Sequence, residues 1–326
     1  MPINKSLNLI KYRGIKMESI KFKKSFGSDF KTLPSNHASR LCNMALAISI
    51  LLGAHAGSVS AAAFDSNIVI RGSAEFDSSG SPSDPVNATQ AGSLTSIIAG
   101  STSTTTLVGS TITGPDPLSG TLSHIGDGFG INLSASGTGG TEPSGISPLF
   151  GDYTFSIENK SAVDSFVVNL QFHYSHQVEA IDTQVLNDNG EFAESQIAFF
   201  KADGSELVFS KVVSDTLFGN EKFIPSSPFT DIGSGVGGAL SDVGTLLLSF
   251  LLNPGDLISF GDSNPDLFVY GGADSGRFSI NASSLITVDS VTKQTNNTVP
   301  EPETLWLLAI GLISVLTSKR RHYAFN

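Results

Sequence analysis

Few residues in this chain have the types and spacing that chemistry requires. Three histidines fall in its middle: His124, His173 and His176. His173 and His176 lie three apart in a segment that alternates as a strand. An odd separation sends them to opposite faces, so a shared metal would need a bulge, and they read as satisfied or exposed side chains. Ser and Asp are plentiful, so counting does not exclude a Ser-His-Asp triad, yet no G-x-S-x-G elbow occurs. Gly233-Ser234-Gly235-Val236-Gly237-Gly238 has the G-x-G-x-x-G spacing. A dinucleotide site needs a strand before it and a helix after it. Here Pro225 and Pro228 precede it and an apolar, strand-like Leu246–Leu252 follows, so it reads as a loop. Asp262, Asn264 and Asp266 place oxygen side chains at alternate positions, as calcium loops do. Leu267 replaces the required glycine, and Ala273 stands where the twelfth-position Glu belongs. The trio is a weak calcium candidate and otherwise a solvated turn. Asn187–Glu191 has its glycine, Gly190, but such a loop would start on Val185. No catalytic residue, metal centre or cofactor is expected, with calcium the one weak exception.

The segments that would position these residues read as β-structure. Tyr153, Phe155 and Ile157 alternate with polar residues, and so do Phe166, Val168, Leu170, Phe172 and Tyr174. Period-2 alternation of aromatic and β-branched residues marks half-buried strands. Asp203-Gly204 between Ile197–Phe200 and Leu207–Phe209 is a hairpin signal. Leu246–Leu252, the turn Asn253-Pro254-Gly255-Asp256 and Leu257–Phe260 read as strand, turn, strand. Phe278–Ala282 and Leu285–Val288 add two further strands. No amphipathic stretch of helical length stands out. The expected fold class is all-β, a sandwich of jelly-roll or immunoglobulin-like type. Residues 64–150 differ in texture from 151–298. Of these 87 residues 42 are Gly, Ser or Thr, so they read as thin strands with long loops, in the same sandwich or in a separate half.

Charge divides the 326 residues into three blocks. Residues 1–63 carry nine Lys/Arg against two Asp/Glu; residues 64–298 carry seven against 26; residues 299–326 carry three against two. The acidic middle excludes nucleic acid as a main partner, because phosphate binding needs clustered cations. One cysteine, Cys42, excludes a disulfide-stapled fold and Cys-based zinc sites. The only Trp, Trp306, lies in the last block, so the middle has no Trp platform for sugars; Tyr153, Tyr174 and Tyr270 could substitute, although on strands such residues more often serve the core.

The first block has the order of a secretory signal. Basic residues run from Lys5 to Arg40, Leu41–Ala54 is apolar, and small residues end at the cleavage candidate Ala61-Ala62-Ala63. The basic region is long, and Met17 and Met44 are alternative starts. The signal helix implies the Sec machinery as a partner.

The last block carries the most specific motif. Val299-Pro300-Glu301-Pro302-Glu303-Thr304-Leu305 precedes an apolar run, Trp306–Thr317, which includes Leu307, Leu308 and Gly311. Lys319, Arg320 and Arg321 then form a basic stop. The prolines break any preceding strand. The basic cluster stays cytoplasmic by the positive-inside rule, leaving Pro-Glu-Pro at the outer face of the inner membrane. The apolar run is short for about 30 Å of hydrocarbon, which suits a temporary anchor. Pro-Glu-Pro, a transmembrane sorting helix and a terminal Arg-rich cluster together resemble the PEP-CTERM sorting signal of Gram-negative bacteria. The resemblance covers residues 299–321. It implies cleavage near Pro300-Glu301-Pro302 by a membrane-embedded exosortase, then release or transfer to the cell surface. It also implies extracellular polysaccharide as a neighbour.

Three functional readings follow. The first is a non-enzymatic surface or matrix protein with a structural or adhesive role. The second is a carbohydrate-binding module or adhesin in the same place. The third is an exported hydrolase without a recognisable motif.

Overall fold

The computed structural model describes residues 62–77, 85–112, 117–183, 190–225, 227–231, 236–261 and 264–294. The expected signal helix, with Ala61, and the whole sorting segment, 299–326, lie outside them. Sixteen strands run through the described residues. They are β1 (Ile68–Phe76), β2 (Ala88–Ile98), β3 (Ser101–Val108), β4 (Leu118–Leu122), β5 (Gly128–Thr138), β6 (Ser144–Gly145), β7 (Leu149–Asn159) and β8 (Phe166–Ile181). There follow β9 (Phe192–Phe200), β10 (Glu206–Asp215), β11 (Glu221–Ile224), β12 (Ser227–Asp231), β13 (Gly238–Leu252), β14 (Leu257–Phe260), β15 (Leu267–Ala273) and β16 (Arg277–Lys293). The only helical element among them is one 3-10 turn, Gly109–Thr111.

The strands form two sheets. One has ten strands, ordered β12-β11-β10-β9-β15-β7-β1-β4, with β14 also on β7 and β6 on β15. The other has six, ordered β13-β8-β16-β5-β2-β3. Side-chain alternation dictates how they meet. Along β8 every second residue from Phe166 to Ala180 is buried, and along β7 every second residue from Leu149 to Asn159. The buried faces oppose one another through aromatic rings. Phe172 stacks on Phe199 at 5.8 Å, Phe129 meets Phe155 edge-on at 5.8 Å, and Phe250 meets Phe260 at 5.0 Å. Each of these pairs joins one sheet to the other. Geometry of this kind adds to the area the rings bury.

Both halves of the 64–298 segment enter both sheets. β1 pairs with β7, and β5 pairs with β16. The Gly/Ser/Thr-rich strands are therefore interleaved with the aromatic-rich ones.

The local turns follow their chemistry. Gly204 sits at φ 79° between β9 and β10, with its N–H on the Lys201 carbonyl at 2.9 Å. Asn253–Asp256 works differently from a hairpin. β13 belongs to the six-stranded sheet and β14 to the ten-stranded one, so this turn carries the chain across the sandwich. Asp256 Oδ2 accepts the Asn253 N–H at 2.7 Å, and the Asn159 amide donates to the carbonyls of Leu252 and Asn253 at 3.2 and 2.9 Å.

One reading of the sequence is corrected. Phe278–Ala282 and Leu285–Val288 are not two strands but one, the 17-residue β16. Its inward phase continues through Ala282 and Ser284, which are too small or too polar to mark a core face.

Candidate functional site

The sorting residues Val299, Pro300, Glu301, Pro302, Thr304 and Leu305 lie outside the described residues. So do Trp306, Leu307, Leu308, Gly311, Lys319, Arg320 and Arg321. Ala62 and Ala63 are described, and they join the fold at its first edge. The Ile125 N–H donates to the Ala62 carbonyl at 2.9 Å, and Ala63 bridges His124.

The calcium trio is divided. Asp262 lies outside the described residues, whereas Asn264 and Asp266 lie within them. Asp266 is buried, and its Oδ2 accepts the Tyr153 N–H at 2.8 Å. That carboxylate serves the core rather than a surface loop. Two other buried carboxylates do similar work. Asp127 accepts the N–H groups of Ala99, Ser123 and His124 at 2.7–2.9 Å. Glu191 accepts those of Ser275 and Gly276 at 3.2 and 2.9 Å. Each ties together segments distant in sequence. Among the described residues no cluster of three or more His, Cys, Asp or Glu could hold a metal ion.

The histidines separate as their spacing requires. His173 is on the outer face of β8 and pairs with Thr245 at 2.8 Å and Gln171 at 3.0 Å. His176 points inward and is fully buried. There it meets residues that no sequence spacing links. Its Nε2 is 2.7 Å from Ser210 Oγ on β10, and its Nδ1 is 3.1 Å from Ser195 Oγ on β9. The Ser210 hydroxyl donates to Asp242 Oδ2 at 2.9 Å, and Lys222 Nζ sits 3.3 Å from Asp242 Oδ1. One hydroxyl carries one proton. Ser210 therefore accepts from His176 Nε2–H, and Nδ1 accepts from Ser195.

This grouping has the composition of a catalytic triad without its order. A triad places the carboxylate on the imidazole nitrogen opposite the serine. Here Asp242 lies 4.0 Å from Nε2, on the serine's own side, and a second serine takes Nδ1. Ser195 and Ser210 are fully buried as well. Burial lowers the His176 pKa to about 4, against the opposing pull of Asp242. The ring is thus neutral at neutral pH. Burial, then the Asp242 carboxylate, pushes the Tyr174 phenol up to about 12. The only advance signal was polarity at inward phases: Ser195 between Ala193 and Ile197, and Ser210 between Val208 and Val212.

The outer face of the six-stranded sheet has a different character. Strand registers align its residues in transverse rows. One row reads Val243, Ser175, Ser283, Asn132, Ser93 and Thr106. The row two residues further on reads Thr245, His173, Leu285, Gly130, Thr95 and Thr104. The rows on either side, running from Ser241 to Val108 and from Leu247 to Thr102, likewise contain no Asp, Glu, Lys or Arg. At standard strand spacings the four rows span roughly 24 by 20 Å. Asn132 Nδ2 donates to Asn281 Oδ1 at 3.1 Å within this face. Glu179, paired with Arg277 at 3.6 Å, stands in the next row beyond one end, and Lys222 reaches the backbone carbonyl of Ser241 at the β13 edge.

No curated protein matches the chain. Residues 298–321 match the PEP-CTERM protein-sorting motif. The chain therefore carries, at its C-terminal end, the sorting signal of an exported exosortase substrate.

Proposed function

We propose that this chain is a cell-surface or extracellular-matrix protein with a structural or adhesive, non-catalytic role. On this reading Sec exports it, the segment Trp306–Arg321 holds it transiently in the inner membrane, and an exosortase cuts near Pro300-Glu301-Pro302. The observation that carries the reading is the sorting motif at 298–321, placed directly behind an all-β two-sheet domain. In the native host, the full chain should reach the surface fraction. A version ending at residue 297 should not be processed by that route. Equal surface delivery of both versions would contradict the proposal.

A second reading, carbohydrate binding, is favoured by the uncharged outer rows. Hydroxyl and amide groups match the hydrogen-bonding groups of a neutral polysaccharide, and the lack of anions avoids desolvating charge. The test is retention of the full chain on neutral polysaccharide beads. Ser283→Lys, at the centre of the face, should reduce retention at least tenfold. Free passage of the unaltered chain over a broad panel of neutral sugars would retire this reading and leave the structural role standing.

A further inference from the structure

β13 is an edge strand of unusual kind. It pairs with β8 in unbroken register from Gly238 opposite Ala180 to Leu252 opposite Phe166, fifteen residues without a bulge. No described strand lies on its other side. Soluble sheets guard such edges with lysines, prolines, bulges or inward-pointing charges. β13 has no lysine, no proline and no bulge; its one inward-pointing charge, Asp242, lies near one end and is held there by Lys222 at 3.3 Å. Lys222 Nζ also donates to the Ser241 carbonyl at 2.8 Å, and the Asn159 amide takes the Leu252 carbonyl. Between these two contacts, Val243–Leu251 borders no described strand on the side away from β8. Along it Val243, Leu247 and Leu251 are 76, 59 and 57% exposed.

The sequence of this stretch is self-complementary about its centre. An antiparallel pairing with a two-fold axis at Leu247 sets Val243 against the partner's Leu251 and Thr245 against the partner's Ser249. Leu247 then faces the partner's Leu247. On the other face Leu246 meets the partner's Leu248, and Gly244 meets the partner's Phe250. Apolar residues fall on apolar ones, hydroxyl on hydroxyl, and the smallest residue on the largest ring. Directly opposed cross-strand pairs are the unit of sheet stabilisation, and a two-fold interface requires this reciprocity. A register moved by two residues sets Val243 against the partner's Ser249 and breaks the match.

We propose that two copies of this chain associate through β13, antiparallel about Leu247, joining their six-stranded sheets into one. The occupant of the edge is a second copy because the complementarity lies within the strand itself. The pairing leaves the outer rows of both copies on the same continuous surface.

Cysteine cross-linking of the full chain, with Cys42→Ser and in mild detergent, tests the register directly. Leu247→Cys brings two thiols face to face, about 4.5–5.5 Å apart at Cβ. Val243→Cys alone leaves each thiol opposite a leucine, whereas Val243→Cys with Leu251→Cys restores two matched pairs. Those two positions, eight residues apart on one strand, are roughly 27 Å from each other and form no bond within a copy. Mild oxidation should give covalent dimer with Leu247→Cys and with the double variant, and at least tenfold less with Val243→Cys. Leu247→Lys, an exposed change, should halve the sedimenting mass and leave the β-sheet circular dichroism of the folded chain unaltered. Equal cross-linking of all three variants, or dimer undiminished by Leu247→Lys, would overturn the proposal. So would a chain that sediments as a monomer from about 1 to 100 µM.

Discussion

His176 and Asp242 are register partners across the β8–β13 pair, and a single hydroxyl, that of Ser210, connects them. The connection crosses the sandwich, since Ser210 belongs to the opposite sheet. A polar group buried without partners costs on the order of 1–3 kcal/mol. Here the two serines satisfy both ring nitrogens, the lysine-held carboxylate takes the Ser210 proton, and the inner face tolerates the imidazole as a neutral ring.

That arrangement makes stability depend on pH. The His176 pKa falls from an ordinary 6.5 to about 4 on folding, mainly through burial. A lowered folded value means that the unfolded chain takes up the proton first. The contribution is therefore complete above about pH 6.5 and is lost as the pH falls towards 4. It amounts to roughly 3 kcal/mol. Urea unfolding of the wild type and of His176→Asn at pH 7.5 and at pH 4.5 isolates it. The variant should be clearly less stable at pH 7.5, and the gap should narrow by pH 4.5. A gap independent of pH would show that the ring's titration is not coupled to folding.

Tyr153 and Ser284 form a second bridge between the sheets. The phenol donates to the Ser284 carbonyl at 2.8 Å and lies 2.9 Å from its hydroxyl. Burial and the nearby Asp266 raise the phenol's pKa. Tyr153→Phe should cost roughly 1–2 kcal/mol by leaving the Ser284 groups unpaired. Adding Ser284→Ala should recover part of that loss. Strictly additive single changes in thermal unfolding would mean that the two residues are not coupled.

This pair also explains what the sequence hid. The strands β7 and β8 were legible because their inward positions are large and apolar. β16 looks like two strands in the sequence because Ala282 and Ser284 interrupt its apolar phase. Ser284 is inward for a reason visible only across the sandwich: it partners a tyrosine 131 residues away. The His176 network was hidden likewise, since Ser195, Ser210 and Asp242 come from three strands at no fixed spacing. The Asn253–Asp256 turn was legible as a turn. Its crossing between sheets was not, because turn chemistry states where a chain bends and not which edge it joins next. The burial of Asp266 on the Tyr153 N–H is likewise invisible in the sequence, because alternate oxygens do not reveal which one points into the core.

Close passage of two strands sets a further limit. A Cβ on Gly128 would stand 2.0 Å from the Ile286 carbonyl oxygen, a backbone atom of β16 with no side-chain freedom. Gly128→Ala should cost about 3 kcal/mol or more, at the upper end of overpacking. Gly140→Ala, with no atom within 4 Å of its Cβ, should change stability by less than about 0.5 kcal/mol. Chemical denaturation compares them. Equal effects would contradict the close β5–β16 approach.

On the proposed function, this chain is cut at both ends and finishes outside the inner membrane. The direct measurement is the intact mass of the protein recovered from the outer fraction of its native host. Cleavage at both ends gives one product that begins near Phe64 and ends near Pro300. A product that still carries Trp306–Arg321 would contradict it and leave a periplasmic domain anchored in the inner membrane.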